Sequence, residues 1–218
     1  MKAITLDGID EYATLSTSPE PKFMSELTAD TKKELDNPQM IVGLQGARLL
    51  QALVYALRPQ LIVEIGTFSG YSSLSMAAAL PPNGRIISCE INPRHAAISR
   101  RNIDRSKYAD RVAVEVGPAL DTIARLNGPF DFVFMDADKT QYLDYFEAVL
   151  PKLSAHGMIA ADNTLWNGDV LDGFSSDTDV KSLREFNAAV ASDPRVTAVL
   201  LTVRDGITLI WPNASAGQ

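Results

Sequence analysis

From Leu61 onward the chain alternates short β-branched runs with segments rich in helix formers, and this alternation constrains the fold more than any other feature. The runs are Leu61–Ile65, Arg85–Glu90, Arg111–Val116, Asp131–Met135 and Gly157–Ala161, and between them lie 69–80, 93–105, 118–126 and 140–153. Strand and helix in strict turn predict right-handed βαβ units, and so an α/β fold with a mostly parallel sheet and helices on both faces. The end of the chain breaks the pattern. After a helix expected near 178–192, Val196–Val203 and Ile207–Trp211 flank Arg204-Asp205-Gly206. Asp-Gly between two apolar runs signals a hairpin, so the sheet is expected to close on an antiparallel strand.

A length of 218 residues fits one large domain with a short appendage. The first forty residues are polar and interrupted by Pro19, Pro21 and Pro38. They read as a helical segment, two short helices and a linker, belonging to the same domain as 41–212. Residues 213–218 are small and polar and are expected to fray. Lys plus Arg is 20 and Asp plus Glu is 27, a net charge of −7, which speaks against a nucleic-acid partner. The single cysteine, Cys89, excludes an intramolecular disulfide and suits a cytoplasmic location. The start shows no apolar signal core. The longest apolar runs fall short of the ~20 residues a span needs, so no membrane partner is expected.

In an open α/β sheet, ligands bind beyond the carboxyl ends of the strands. The first such turn reads Glu64-Ile-Gly66-Thr-Phe-Ser-Gly70. Gly66 and Gly70 permit a tight turn and close backbone approach. A dinucleotide fingerprint would also want glycine at 68, where Phe68 stands, and no Gly-Lys-Ser/Thr of a P-loop exists. Glu90 ends the second strand, where a carboxylate suits a ribose diol. Glu64, just before the turn, would repel a pyrophosphate and favours a ligand carrying ammonium or sulfonium charge. S-adenosylmethionine has a ribose, an amino-acid end and a sulfonium, and no phosphate.

A second constellation lies at the ends of strands four and five, in Met135-Asp136-Ala137-Asp138-Lys139 and Ala161-Asp162-Asn163-Thr164. If those strands are neighbours, Asp136, Asp162 and Asn163 converge as oxygen donors. Such a set suits a hard cation, Mg²⁺ first and Ca²⁺ or Mn²⁺ next. Each residue alone is better explained as a cap of the following turn; the three together favour a site. Lys139, three residues after Asp136, can return over the same point as a general base, since a nearby cation discourages its protonation.

At these residues the chain resembles the cation-dependent O-methyltransferases of the caffeoyl-CoA and catechol type, including small bacterial members. The likeness is carried by Val63-Glu-Ile-Gly-Thr-Phe-Ser-Gly-Tyr-Ser72, Phe134-Met-Asp-Ala-Asp-Lys139 and Ala161-Asp-Asn-Thr-Leu-Trp-Asn-Gly168, and covers about Pro19 to Trp211. The resemblance implies a Rossmann-like class I methyltransferase with a seven-stranded sheet whose last strand is antiparallel, and a homodimer. It implies S-adenosylmethionine as donor, a divalent cation, and a small aromatic hydroxyl acceptor such as a catechol, caffeoyl or flavonoid-like vicinal diol. Asp136, Asp162 and Asn163 would hold the metal, with Lys139 and Asp136 catalytic. Glu64, Gly66, Thr67 and Ser72 would hold the methionine end of the donor with Asp138 assisting, Glu90 its ribose and Ala119 its adenine edge, and Asp136 would also contact the donor. Val42 stands where the family commonly has Ser or Thr, which leaves a backbone contact. Trp166 and Asn167 would border the acceptor, and Lys22 would lie in an amino-terminal segment covering it.

Other readings are a methyltransferase acting on a different small acceptor and a non-catalytic homologue that keeps the cofactor fold. A base N-methyltransferase would carry an Asn/Asp-Pro-Pro-Tyr-like run after strand four, where Met135-Asp-Ala-Asp-Lys139 stands. A dehydrogenase is disfavoured by Phe68. His95 is expected to be exposed after Pro93, His156 to lie in a loop, and Cys89 to be a small core residue.

Overall fold

The structure is a computed structural model in which residues 6–213 are described. The expected tail therefore falls, apart from Asn213, outside the described residues, as do the first five positions. Two helices open the chain, α1 (Ile9–Leu15) and α2 (Lys22–Glu34), followed by a single 3₁₀ turn at Pro38–Met40 and a third helix, α3 (Gly43–Leu57). Then come β1 (Leu61–Ile65), α4 (Tyr71–Ala77), β2 (Arg85–Glu90), α5 (Pro93–Asp104), β3 (Val112–Val116), α6 (Ala119–Arg125), β4 (Phe130–Met135), α7 (Tyr142–Val149), β5 (Leu153–Asp162), α8 (Thr178–Ser192), β6 (Val196–Leu201) and β7 (Ile207–Pro212). The seven strands form one sheet in the order β3-β2-β1-β4-β5-β7-β6. Every pairing is parallel except those of β7, which runs antiparallel to both β5 and β6. The hairpin expected from Asp205-Gly206 is the β6–β7 connection.

Side-chain parity along the strands sorts the core into two layers. Leu61, Val63 and Ile65 of β1, with Val133 and Met135 of β4, face Tyr142, Phe146, Leu183 and Phe186 of α7 and α8. Ile62 of β1, with Phe132 and Phe134 of β4, faces Leu50 and Val54 of α3 and Leu74 and Met76 of α4. Glu64 shares the parity of Ile62 and so points into this second layer.

Helix α3 is absent from the expectations drawn from sequence. The stretch Pro38–Leu57 is 20 residues long and, by length and composition alone, apolar enough to cross a membrane, with mean hydropathy 1.4. In the fold, Gly46, Ala47, Leu50 and Val54 are its buried face, and Ala47, Leu50 and Val54 belong to the layer against the sheet. β5 also begins earlier than expected, which places His156 on a strand, exposed.

The chain winds outward from β1 to β3, then returns to place β4 on the other side of β1. At this reversal, Asp136 N donates to Ile65 O at 2.9 Å and Gly66 N to Cys89 O at 2.9 Å. Gly66 has φ +92, and a Cβ there would lie 2.1 Å from the Asp136 carbonyl oxygen. No side chain fits between the two strand ends. Gly66→Ala is expected to destabilise the fold by about 2–3 kcal/mol, a fall of roughly 5–10 °C in melting temperature for a chain of this size. A thermal melt followed by circular dichroism checks this, and an unchanged melt would show that the turn relaxes freely.

Candidate active site

The carboxyl ends of β1, β2, β4 and β5 open into one cavity of about 760 Å³, within the range of small-molecule sites. Its walls include Val42, Gly66, Thr67, Ser72, Glu90, Ala119, Asp136, Asp138, Lys139, Asp162, Asn163, Trp166 and Asn167. Thirteen of the fifteen positions singled out from sequence thus meet on one surface.

Two do not. Glu64 is fully buried behind the turn, as its strand parity dictates. Its Oε2 accepts hydrogen bonds from Ser73 of α4 and Ser88 of β2, and its Oε1 is buried with no partner. Burial pushes this carboxyl upward, against the opposing effect of the surrounding serine hydroxyls. The expectation that Glu64 contacts a cofactor is corrected: it braces the turn from beneath. Lys22 is exposed at the start of α2, 3.4 Å from Glu26, and does not line the cavity. Among the described residues of the first forty, Gln39 and Met40 alone reach the wall, because α1 and α2 pack beside α3 and α4.

At the β1–β2 end, Glu90 is 7% exposed. Its Oε2 accepts from Phe68 N and its Oε1 from Asn92 N, both at 2.9 Å. These two amides hold the carboxylate at the cavity wall while each oxygen keeps a lone pair to offer. His95, expected to be exposed, is half-buried: its ring meets Phe68 edge-on at 5.0 Å and Nδ1 lies 3.8 Å from Glu90 Oε1. Thr67 Oγ1 bonds Ser73 Oγ at 2.9 Å and Ser99 Oγ at 3.2 Å, which ties the turn to α4 and α5. Cys89 is in the core at 1% exposure.

At the β4–β5 end, Lys139 is buried at 6% exposure. Its Nζ donates to Asp136 Oδ1 at 3.0 Å and to Tyr142 Oη at 2.6 Å, and Tyr142 Oη donates to the Asp162 carbonyl at 2.9 Å. The rings of Tyr142 and Trp166 lie 4.8 and 5.8 Å from the ammonium. Burial pulls Lys139 downward, but Tyr142, Asp136 and Asp162 outweigh it and the net shift is upward. With these residues alone, Lys139 rests as an ammonium. Asp138 lies on the cavity wall with its oxygens spent on Thr140 N, Thr140 Oγ1 and Gln141 Nε2.

Asp162 is 4% exposed, and its Oδ1 accepts from Asn163 N at 2.8 Å. Burial pushes its carboxyl up, and the neighbouring Asp136 pushes it further. Two carboxylates held together in low dielectric attract a cation. Among the described residues no three His, Cys, Asp or Glu side chains gather as a metal-holding group. The donors available are two carboxylates and the Asn163 amide, all oxygen, a chemistry that fits a hard divalent ion with open positions.

The sequence alone assigns no site role to Phe68, Tyr71, His95, Tyr142, Arg204 or Asp205. Tyr142 stands three residues after Lys139, one turn on, a spacing that could have flagged it. Asp205 was read only as a turn residue, yet it is 3% exposed and accepts the amide of Asn167.

An acid whose folded pKa is raised stabilises the fold most below its unfolded value and loses that contribution as pH rises through the folded one. Asp162→Asn is therefore expected to melt higher than the parent at pH 7.5 in chelator, by about 1–2 kcal/mol or roughly 3–6 °C. The difference shrinks as pH is lowered toward 4, where the parent carboxyl is protonated. Paired melts across that range check it; a gap that does not narrow would remove charge as the cause.

Comparison with known proteins follows from this geometry. Residues 13–212 match the model of the O-methyltransferase family. The catechol O-methyltransferase of Niastella koreensis is 40% identical over 200 residues, covering 89% of this chain and 90% of that protein. Caffeoyl-CoA O-methyltransferase 1 of Eucalyptus globulus is 36% identical over 201 residues, covering 87% and 81%. Among solved structures, the O-methyltransferase from Bacillus cereus in complex with SAH superposes with a TM-score of 0.86 at 33% identity, covering 94% of this chain and 97% of that one. The seven-stranded sheet, the cavity at its reversal point and these likenesses agree, and the chain belongs to the O-methyltransferase family.

Proposed function

We propose that the protein transfers the methyl group of S-adenosylmethionine to one of two vicinal hydroxyls on a small aromatic, with a divalent cation held by Asp136, Asp162 and Asn163. The observation that carries this reading is the bond from the buried Lys139 to the half-buried Asp136, beside the buried Asp162 in the same cavity as Glu90. The donor supplies an electrophilic methyl, and the cation, Mg²⁺ first, supplies positive charge that offsets the carboxylate field and stabilises an acceptor oxyanion.

The chain's own residues do the rest. Glu90, held by two backbone amides, accepts the ribose hydroxyls. Gly66, Thr67 and Ser72 present the turn to the methionine end, with a backbone contact from Val42, and Ala119 borders the adenine. Trp166 and Asn167 border the acceptor ring. The Lys139 ammonium, with a cation held beside it, releases its proton to solvent. As the free amine, Nζ then takes the acceptor's hydroxyl proton, the acceptor oxygen bonds the methyl as the C–S bond breaks, and S-adenosylhomocysteine leaves. Tyr142 keeps that nitrogen in place through its own bond to the Asp162 carbonyl. Positioning of this kind supplies up to ~7–11 kcal/mol of barrier reduction in favourable cases. The same reading places the protein in the cytoplasm as a homodimer; the exposed Tyr12 and Leu15 on α1 and Tyr55 on α3 supply apolar surface for pairing.

Turnover is tested with purified protein, S-adenosylmethionine and a catechol, by mass detection of the methylated product. Activity is expected with Mg²⁺ and is lost with chelator; full activity in chelator would refute the metal role. Lys139→Ala is expected to lower kcat by about 10²–10⁴ with a small change in KM for the donor. A rate within a few fold of the parent would remove Lys139 as the base.

A further inference from the structure

Arg204 stands at the β6–β7 turn with φ +52 and lines the same cavity. It is half-buried, and its guanidinium lies over Gly43, where a Cβ would meet Nη1 at 2.5 Å. Nη1 donates to the Ile41 carbonyl at 3.2 Å. Among the described residues no carboxylate pairs with it. Asp205, next in the chain, gives its oxygen to the amide of Asn167 instead.

An unpaired guanidinium is out of keeping with its surroundings. The cavity wall carries Glu90, Asp136, Asp138, Asp162, Asp179 and Asp205, and its one lysine, Lys139, is already bound to Asp136 and Tyr142. The turn that carries Arg204 packs against the 163–167 loop, with Leu165 N donating to Asp205 O at 2.9 Å and Thr164 N to Gly206 O at 3.1 Å, so it stands beside Trp166 and Asn167 at the acceptor end of the cavity. A neutral diol makes no use of such a group. A carboxylate does: the planar guanidinium offers parallel N–H donors, and charge-assisted bonds of this type are the strong ones.

We propose that Arg204 is a specificity-determining residue that receives a carboxylate on the aromatic acceptor, so that the preferred acceptor is an acid bearing a vicinal diol. This rests on the methyl-transfer reading above. The methionine carboxylate of the donor has the same chemistry, and the experiment separates the two sources.

Steady-state kinetics with Mg²⁺ compare a dihydroxybenzoic acid carrying vicinal hydroxyls with its uncharged methyl ester, for the parent, Arg204→Gln and Arg204→Lys. The parent is expected to prefer the acid. Arg204→Gln raises KM for the acid roughly tenfold while KM for the ester moves less than twofold, and Arg204→Lys recovers part of the loss. The acid-to-ester ratio is read within one preparation, so a partly unfolded variant does not disturb it. Equal losses on acid and ester overturn the inference and leave Arg204 as a brace for Ile41. A rise in KM for the donor with an unchanged acid-to-ester ratio also overturns it, assigning the guanidinium to the methionine carboxylate. A parent that methylates the ester but shows no preference for the acid overturns it while methyl transfer stands. A parent inert on both sinks the methyl-transfer reading, and the inference falls with it.

Discussion

The reversal between β1 and β4 is the constraint on which everything else depends. The chain leaves β1 in one direction and returns on its other side, so the two strand ends diverge and leave a crevice that no helix fills. The backbone bond from Asp136 to Ile65 closes its floor, and Gly66 makes the approach possible by having no side chain. Because that bond comes from Asp136 itself, the floor of the crevice and the first carboxylate of the cation-seeking end are one residue. A shift of β4 by a single position would move Asp136 to the opposite face and lose both.

The two ends of the cavity are built on different electrostatic principles. At the Glu90 end, two backbone amides fix a carboxylate and leave each oxygen a free lone pair for neutral hydroxyls. At the Asp162 end, the buried Asp162 and the half-buried Asp136 lie near one buried ammonium, which bonds Asp136, so one cation serves two acids. The first arrangement recognises without needing anything further, and the second seeks a cation.

Much of this was legible because it is periodic or punctuated. The βαβ alternation and the Asp205-Gly206 hairpin follow from local pattern, and ligand-bearing strand ends follow from where the runs stop. Helix α3 escaped because it carries no start signal: its N-cap is Val42 with no side-chain bond, and its first residue is Gly43 in a left-handed conformation. Glu64 was assigned to the cavity by its closeness to the turn, whereas strand parity places it with Ile62. Arg204 and Asp205 lie some forty residues from Asp162 and reach the cavity only because β7 pairs with β5, a register that composition does not encode.

The sealed carboxylate of Glu64 also bears on how this sequence can drift. Its two bonded serines come from separate elements, α4 and β2, so three residues share one interior acid. Changing either hydroxyl alone leaves the buried acid one donor fewer, and changing the acid alone strands the Ser88 hydroxyl while Ser73 keeps Thr67. The cost of replacing one member therefore depends on the state of the other two, so substitutions within the trio are energetically coupled.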